Sequence, residues 1–96
     1  VPWYVVTYEI RTTDDPKKVM RLEEELRKNS DWCMPTLSHW IIKNDNTPEQ
    51  IIDHLIKVNL IAKGDGIFIF ETTLNGSFRQ ASRHATEWLQ AKLKSA

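Results

Sequence analysis

Two helix starts, each a capping side chain followed by proline, divide an otherwise strand-forming chain, and this alternation limits the fold more than any other feature. Asp14-Asp15-Pro16 offers a carboxylate N-cap with proline at the first helical position, where its missing N–H costs nothing. Thr47-Pro48-Glu49-Gln50 repeats the device with a hydroxyl cap, and Gln50 is placed to close a capping box. Helices are therefore expected over 16–28 and 48–58, between apolar stretches at 4–10, 32–43 and 67–72. The order is βαββαβ once the middle stretch folds back as a hairpin, which predicts an α+β, ferredoxin-like sandwich with an additional C-terminal helix.

The outer strands are apolar at both parities. Tyr4, Val6, Tyr8 and Ile10 fall on one face of the first and Trp3, Val5 and Thr7 on the other, and Ile67-Phe68-Ile69-Phe70 is similar. Such strands need cover on both sides. The two helices supply one cover; a second subunit or the C-terminal segment must supply the other. In the middle stretch Pro35 cannot donate to a ladder, so a bend or reversal is expected near 36–38.

Val19, Leu22 and Leu26 give the first helix its apolar stripe, with Met20 beside it, and Ile51, Ile52, Leu55, Ile56 and Val58 bury much of the second. Glu23 with Arg27 and Glu24 with Lys28 stand four apart, the spacing of a solvated, ion-paired helix face. After the Asn75-Gly76 turn, Phe78, Ala81, Ala85, Trp88, Leu89 and Leu93 recur at helical spacing, so a third helix is expected with Ser77 as N-cap, ending near Lys94. The ferredoxin-like core is thus assigned to 1–74 and the helical extension of the same domain to 75–96.

A chain of 96 residues buries roughly 60–70% of its unfolded surface as one domain and needs no disulfide or metal to do so. Its single cysteine, Cys33, excludes an intrachain disulfide framework and is expected to be a small buried hydrophobe in a reducing, cytoplasmic setting. Val1-Pro2-Trp3-Tyr4-Val5-Val6 has neither the basic segment of a signal peptide nor the length of a membrane span, so no membrane association is expected. Thirteen Lys and Arg balance thirteen Asp and Glu, which removes the net positive field of a non-specific nucleic-acid binder. Nucleic acid would have to be bound by a local patch.

Tyr4-Val5-Val6-Thr7-Tyr8-Glu9-Ile10, Trp32 to Lys43 with its Ser38-His39-Trp40-Ile41-Ile42, Thr47-Pro48-Glu49-Gln50-Ile51 and Gly64-Asp65-Gly66-Ile67-Phe68-Ile69-Phe70 together resemble the small SinR-like proteins. These are relatives of the CRISPR-associated protein two family of adaptation nucleases and, more distantly, of the VapD ribonucleases. The resemblance spans 3–72 and implies a ferredoxin-like domain that forms a homodimer through the open face or edge of its sheet. It also implies a site. In the CRISPR-associated family an aspartate ends the first strand, and the two copies in a dimer share a divalent metal for phosphodiester cleavage. Glu9 stands at that position here, a departure that displaces the carboxylate by a methylene. Ser38 falls near the family's polar position in the second strand, and its plainer role is that of a turn or bulge residue.

Other residues offer chemistry. Arg11, Lys17, Lys18 and Arg21 flank the first helix start and Arg79 and Arg83 lie on the third; gathered in a dimer they would line a groove for a nucleic-acid backbone, against the nearby Asp14 and Asp15. Cys33, His39, His54 and His84 are metal-ligating types without metal-site spacing. Trp32, Trp40 and Trp88 are expected as core or interface anchors. Two functions follow. One is a non-catalytic self-association or regulatory module with no cofactor; the other is an endonuclease dependent on Mg²⁺ or Mn²⁺, with Glu9 carboxylates paired across the dimer.

Overall fold

In the computed structural model, which describes residues 1–11 and 15–93, the apolar stretches become strands and the capped segments become helices. The elements are β1 (Trp3–Glu9), α1 (Pro16–Arg27), β2 (Trp32–Thr36), β3 (His39–Lys43), α2 (Pro48–Lys57), β4 (Gly66–Thr72) and α3 (Arg83–Lys92). The four strands form one antiparallel sheet in the order β2-β3-β1-β4, so β3 and β1 are interior and β2 and β4 are edges.

Both proline-led caps form. The Asp15 carboxylate accepts from the backbone N–H of Lys17 at 2.9 Å, whereas Asp14 lies outside the described residues. Thr47 and Gln50 close a reciprocal box, with the Gln50 N–H donating to Thr47 Oγ1 at 3.2 Å and the Thr47 N–H to Gln50 Oε1 at 2.9 Å. The middle stretch is a hairpin turning at Leu37-Ser38, and the register slips between Cys33 and Thr36, where Pro35 has no N–H to offer.

Alternation along the strands decides the layers. Tyr4, Val6 and Tyr8 of β1, Trp40 and Ile42 of β3 and Ile69 of β4 share one face and bury against Leu22 and Leu26 of α1 and Ile51 and Leu55 of α2. The Trp40 indole N–H donates to the Tyr8 hydroxyl at 3.3 Å, so this polar contact deep in the layer is internally satisfied. Burial pushes the Tyr8 phenol above its ordinary pKa, partly offset by that bond. Each fully buried Leu here contributes about 1.5–3 kcal/mol.

α3 packs on the opposite face, where Ala85 and Leu89 cover Cys33, with Ile41, Phe78 and Trp88 around them. Its start differs from the expectation at Ser77. Ser82 is the N-cap, accepting from the Ala85 N–H at 3.3 Å, because Gln80 adopts a left-handed φ of 55° that no right-handed helix through 77–83 can contain. Phe78 reaches the same apolar cluster from irregular backbone. The expected Lys94 terminus falls outside the described residues, and the helix closes at Lys92 with Leu93 as C-cap.

The ion pairs on α1 also differ from their helical spacing. Glu25 pairs with Lys28 at 2.9 Å, while the Arg27 guanidinium lies over the rings of Trp32 and Trp40 at 5.8 and 5.7 Å. Cation–π contact beside two indoles thus replaces the pair with Glu23. Among the described residues no helix is long and apolar enough to cross a membrane, and no buried side-chain polar atom lacks a hydrogen-bond partner.

Candidate functional site

β1 ends at Glu9, opposite Gly66 in the register, with its side chain on the α3 side of the sheet. The carboxylate is 71% exposed, and Arg11 Nε lies 3.4 Å from Glu9 Oε1. Arg11 in turn ties the loop before β4 to the end of β1: its Nη1 donates to the Gly64 carbonyl at 2.9 Å and its backbone N–H to Asp65 Oδ1 at 2.8 Å. A Cβ at Gly66 would fall 2.6 Å from Arg11 Nη2, so the guanidinium uses the space that glycine leaves. Gly64, at φ 100°, makes the turn that presents its carbonyl.

Beneath this exposed pair lies a buried one that the sequence reading missed. The Asp65 carboxylate is fully buried and accepts from Lys18 Nζ at 2.9 Å and from the Ala62 N–H at 3.0 Å, besides the Arg11 N–H. Three donors, one of them the Lys18 ammonium, stabilise the ionised acid where water cannot. In the sequence, Lys63-Gly64-Asp65-Gly66 reads as a turn into the last strand. The signal lay in Lys18, which precedes Leu22 and Leu26 at intervals of four and therefore stands on the buried stripe.

The remaining sequence-derived residues are separated. Ser38 occupies the β2–β3 turn at φ 65°, where its carbonyl accepts from the Tyr8 N–H at 3.3 Å, at the same end of the sheet as Glu9. Lys17 and Arg21 are exposed on α1; Arg79 donates to the Phe78 carbonyl at 2.9 Å and Arg83 opens α3. Because α1 and α3 lie on opposite faces, these two basic groups do not share a groove within one chain.

Cys33 is buried under α3, its thiol pushed up to about 11 by burial and by the charge of Asp31. Such a thiol is unreactive near neutrality. His39 contacts the Leu37 carbonyl at 2.7 Å, His54 contacts Glu25 at 2.8 Å and the His84 ring lies 5.2 Å from that of Trp32. These four residues therefore occupy separate places. Asp31 joins α3 to the sheet by accepting from Trp88 Nε1 at 2.8 Å and pairing with Lys92 at 3.0 Å. Burial would raise its carboxyl, but those hydrogen bonds prevail and hold it below the ordinary range.

One apolar surface is left uncovered. Phe68 and Phe70 of β4 are 45% and 65% exposed, with ring centroids 5.0 Å apart, on the half of the sheet face that α3 does not reach. Around the edge, on the helix side, Ile52, Ile56 and Ile67 line a groove with Lys63. Aromatic and aliphatic side chains thus flank β4 on both faces. Comparison with family models, curated proteins and solved structures finds no match to this chain.

Proposed function

We propose that this chain is a homodimeric, ferredoxin-like module of the SinR-like and CRISPR-associated type, acting through self-association or as a regulator and not as a catalyst. The observation that carries the reading is the exposed Phe68–Phe70 pair on a sheet edge. Soluble monomers seldom leave contiguous aromatic surface open, and a second copy removes it from water at about 25 cal/mol per Å². Zero formal net charge leaves little repulsion between copies. The ferredoxin-like assignment rests on the strand order β2-β3-β1-β4 with α1 and α2 packed on one face. The Glu9–Arg11 ion pair supports a structural role for the carboxylate.

The exposure of Glu9 on the Phe68 side of the sheet favours one second reading: an endonuclease acting on DNA or RNA through a Mg²⁺ or Mn²⁺ ion shared by two Glu9 carboxylates. Of the basic candidates, Arg11, Lys17, Arg21, Arg79 and Arg83 are then exposed to a phosphate backbone, while Lys18 is buried against Asp65. Light scattering over a concentration series tests the first reading, with a dimer mass expected and Phe70→Lys giving monomer; a monomer at every concentration overturns it. Thermal melts separate the two. Under the first reading Mg²⁺ or Mn²⁺ leaves Tm unchanged and Glu9→Gln moves stability by less than about 1 kcal/mol. A metal-dependent rise in Tm that disappears in Glu9→Gln establishes the second.

A further inference from the structure

We infer that the second copy joins by pairing β4 with its own symmetry mate, antiparallel and centred on Ile69, so that two sheets become one. The inference rests on the self-association reading and specifies its partner surface. Hydrogen bonds from Tyr8 N–H to the Ser38 carbonyl and from Asn44 N–H to the Pro2 carbonyl show that even-numbered residues along β1 turn their backbone toward β3. In an antiparallel ladder the direction alternates, so Trp3, Val5, Thr7 and Glu9 turn toward β4 and bond to Thr72, Phe70, Phe68 and Gly66. Ile67, Ile69 and Glu71 are thereby left with N–H and C=O groups directed outward, and among the described residues no hydrogen bond occupies them.

Nothing in β4 blunts this edge. It contains no proline, lysine or bulge, the usual protections of an open strand. A two-fold axis at Ile69 sets Ile69 against Ile69 of the partner subunit and Ile67 against Glu71 of the partner subunit, which uses every outward backbone group on both edges. Phe68 then stands opposite Phe70 of the partner subunit at a non-hydrogen-bonded position, where cross-strand side chains approach most closely, and the aromatic pairs of the two chains merge. On the helix side Glu71 comes to the groove that holds Lys63 of the partner subunit. Glu71 and Lys63 are both exposed, and neither forms an ion pair among the described residues. The edge is complementary to itself in hydrogen bonding, apolar contact and charge, which selects a second copy as its occupant.

Amide hydrogen exchange followed by NMR above and below the dimer dissociation constant is the direct test. The Ile67, Ile69 and Glu71 amides are expected to become protected only in the dimer, to the level of interior strand amides. Glu71→Pro removes an outward N–H without touching the β1 ladder and should weaken the dimer about 10- to 100-fold. Should that variant not fold, Glu71→Lys decides: it should weaken association about 2- to 10-fold, with Lys63→Glu in the same chain restoring it. A dimer with unprotected Ile67, Ile69 and Glu71 amides, indifferent to Glu71→Pro or to the charge exchange, overturns the edge pairing while the homodimer stands. A monomer at all concentrations overturns both.

Discussion

The two edges of this sheet are both largely apolar and meet opposite fates. β2 carries Pro35 and a register slip, and its carbonyls at Met34 and Pro35 accept from the hydroxyl and N–H of Ser82 at 3.3 and 3.2 Å. Behind that contact α3 lays Leu89 and Ala85 on Cys33, and Asp31 fastens it through Trp88 and Lys92. β4 has the longer, regular ladder with β1 and no comparable cover, with Phe68 and Phe70 open to solvent. An edge is closed by what docks along it and not by its own apolarity. Here α3, which protects β2, leaves Phe68 and Phe70 of β4 uncovered.

Several perturbations break or sharpen that contrast. The largest effect is expected from Asp65→Ala, which removes the buried acceptor of Lys18 Nζ and of the Arg11 and Ala62 N–H groups at the start of β4. A loss of about 3 kcal/mol or more in urea unfolding is expected. A loss below 1 kcal/mol would show that β4 is held by its ladder alone.

Leu89→Ala comes next. The cavity left over Cys33 should cost about 2–4 kcal/mol, and loosening α3 should uncover β2, so that the species seen by light scattering grows beyond a dimer. An unchanged mass with lowered stability would mean that Pro35 alone blunts this edge. Ser82→Ala deletes both the α3 cap and the bond to Met34, with a cost of about 0.5–2 kcal/mol.

The smallest effect concerns acid. Asp31 and Glu25 both titrate below their ordinary values: Asp31 because its bonds to Trp88 and Lys92 outweigh burial, Glu25 because of its bonds to His54 and Lys28. A folded pKa below the unfolded one means that the stabilisation is complete above the unfolded carboxylate range and is lost as pH falls through the folded value. Stability should therefore decline on acidification below about pH 4, less steeply in Asp31→Asn, by about 1 kcal/mol for this group. Parallel acid limbs for the two proteins would remove Asp31 from the docking of α3.

What could be read in the chain follows the distance over which each interaction acts. The caps at Asp15 and Thr47 are satisfied within three residues, so composition and spacing sufficed to place α1 and α2. Glu9 and Arg11 are also near neighbours, and their pairing was accessible. The Glu23–Arg27 spacing was equally local but yielded to Trp32 and Trp40, which reach Arg27 only through the folded sheet. Ser77 failed as a cap for a similar reason: helical spacing records which side chains share a cluster, and Phe78 enters that cluster without helical backbone. Asp65 was hidden because its partners Arg11 and Lys18 are brought to it by the β1–β4 pairing and the seating of α1.

The sequence by itself determined the order of elements, the caps of α1 and α2 and the two-sided apolarity of β1 and β4, because these depend on side-chain size, branching and hydrogen-bonding groups a few residues apart. Only the tertiary structure decided that Lys18 and Asp65 are buried together, that Arg27 turns to Trp32 and Trp40, and that α3 covers β2 and leaves Phe68 and Phe70 on an open edge. These depend on strand order and on where α3 lies across the sheet, quantities set by the packing of distant segments and carried by no local pattern.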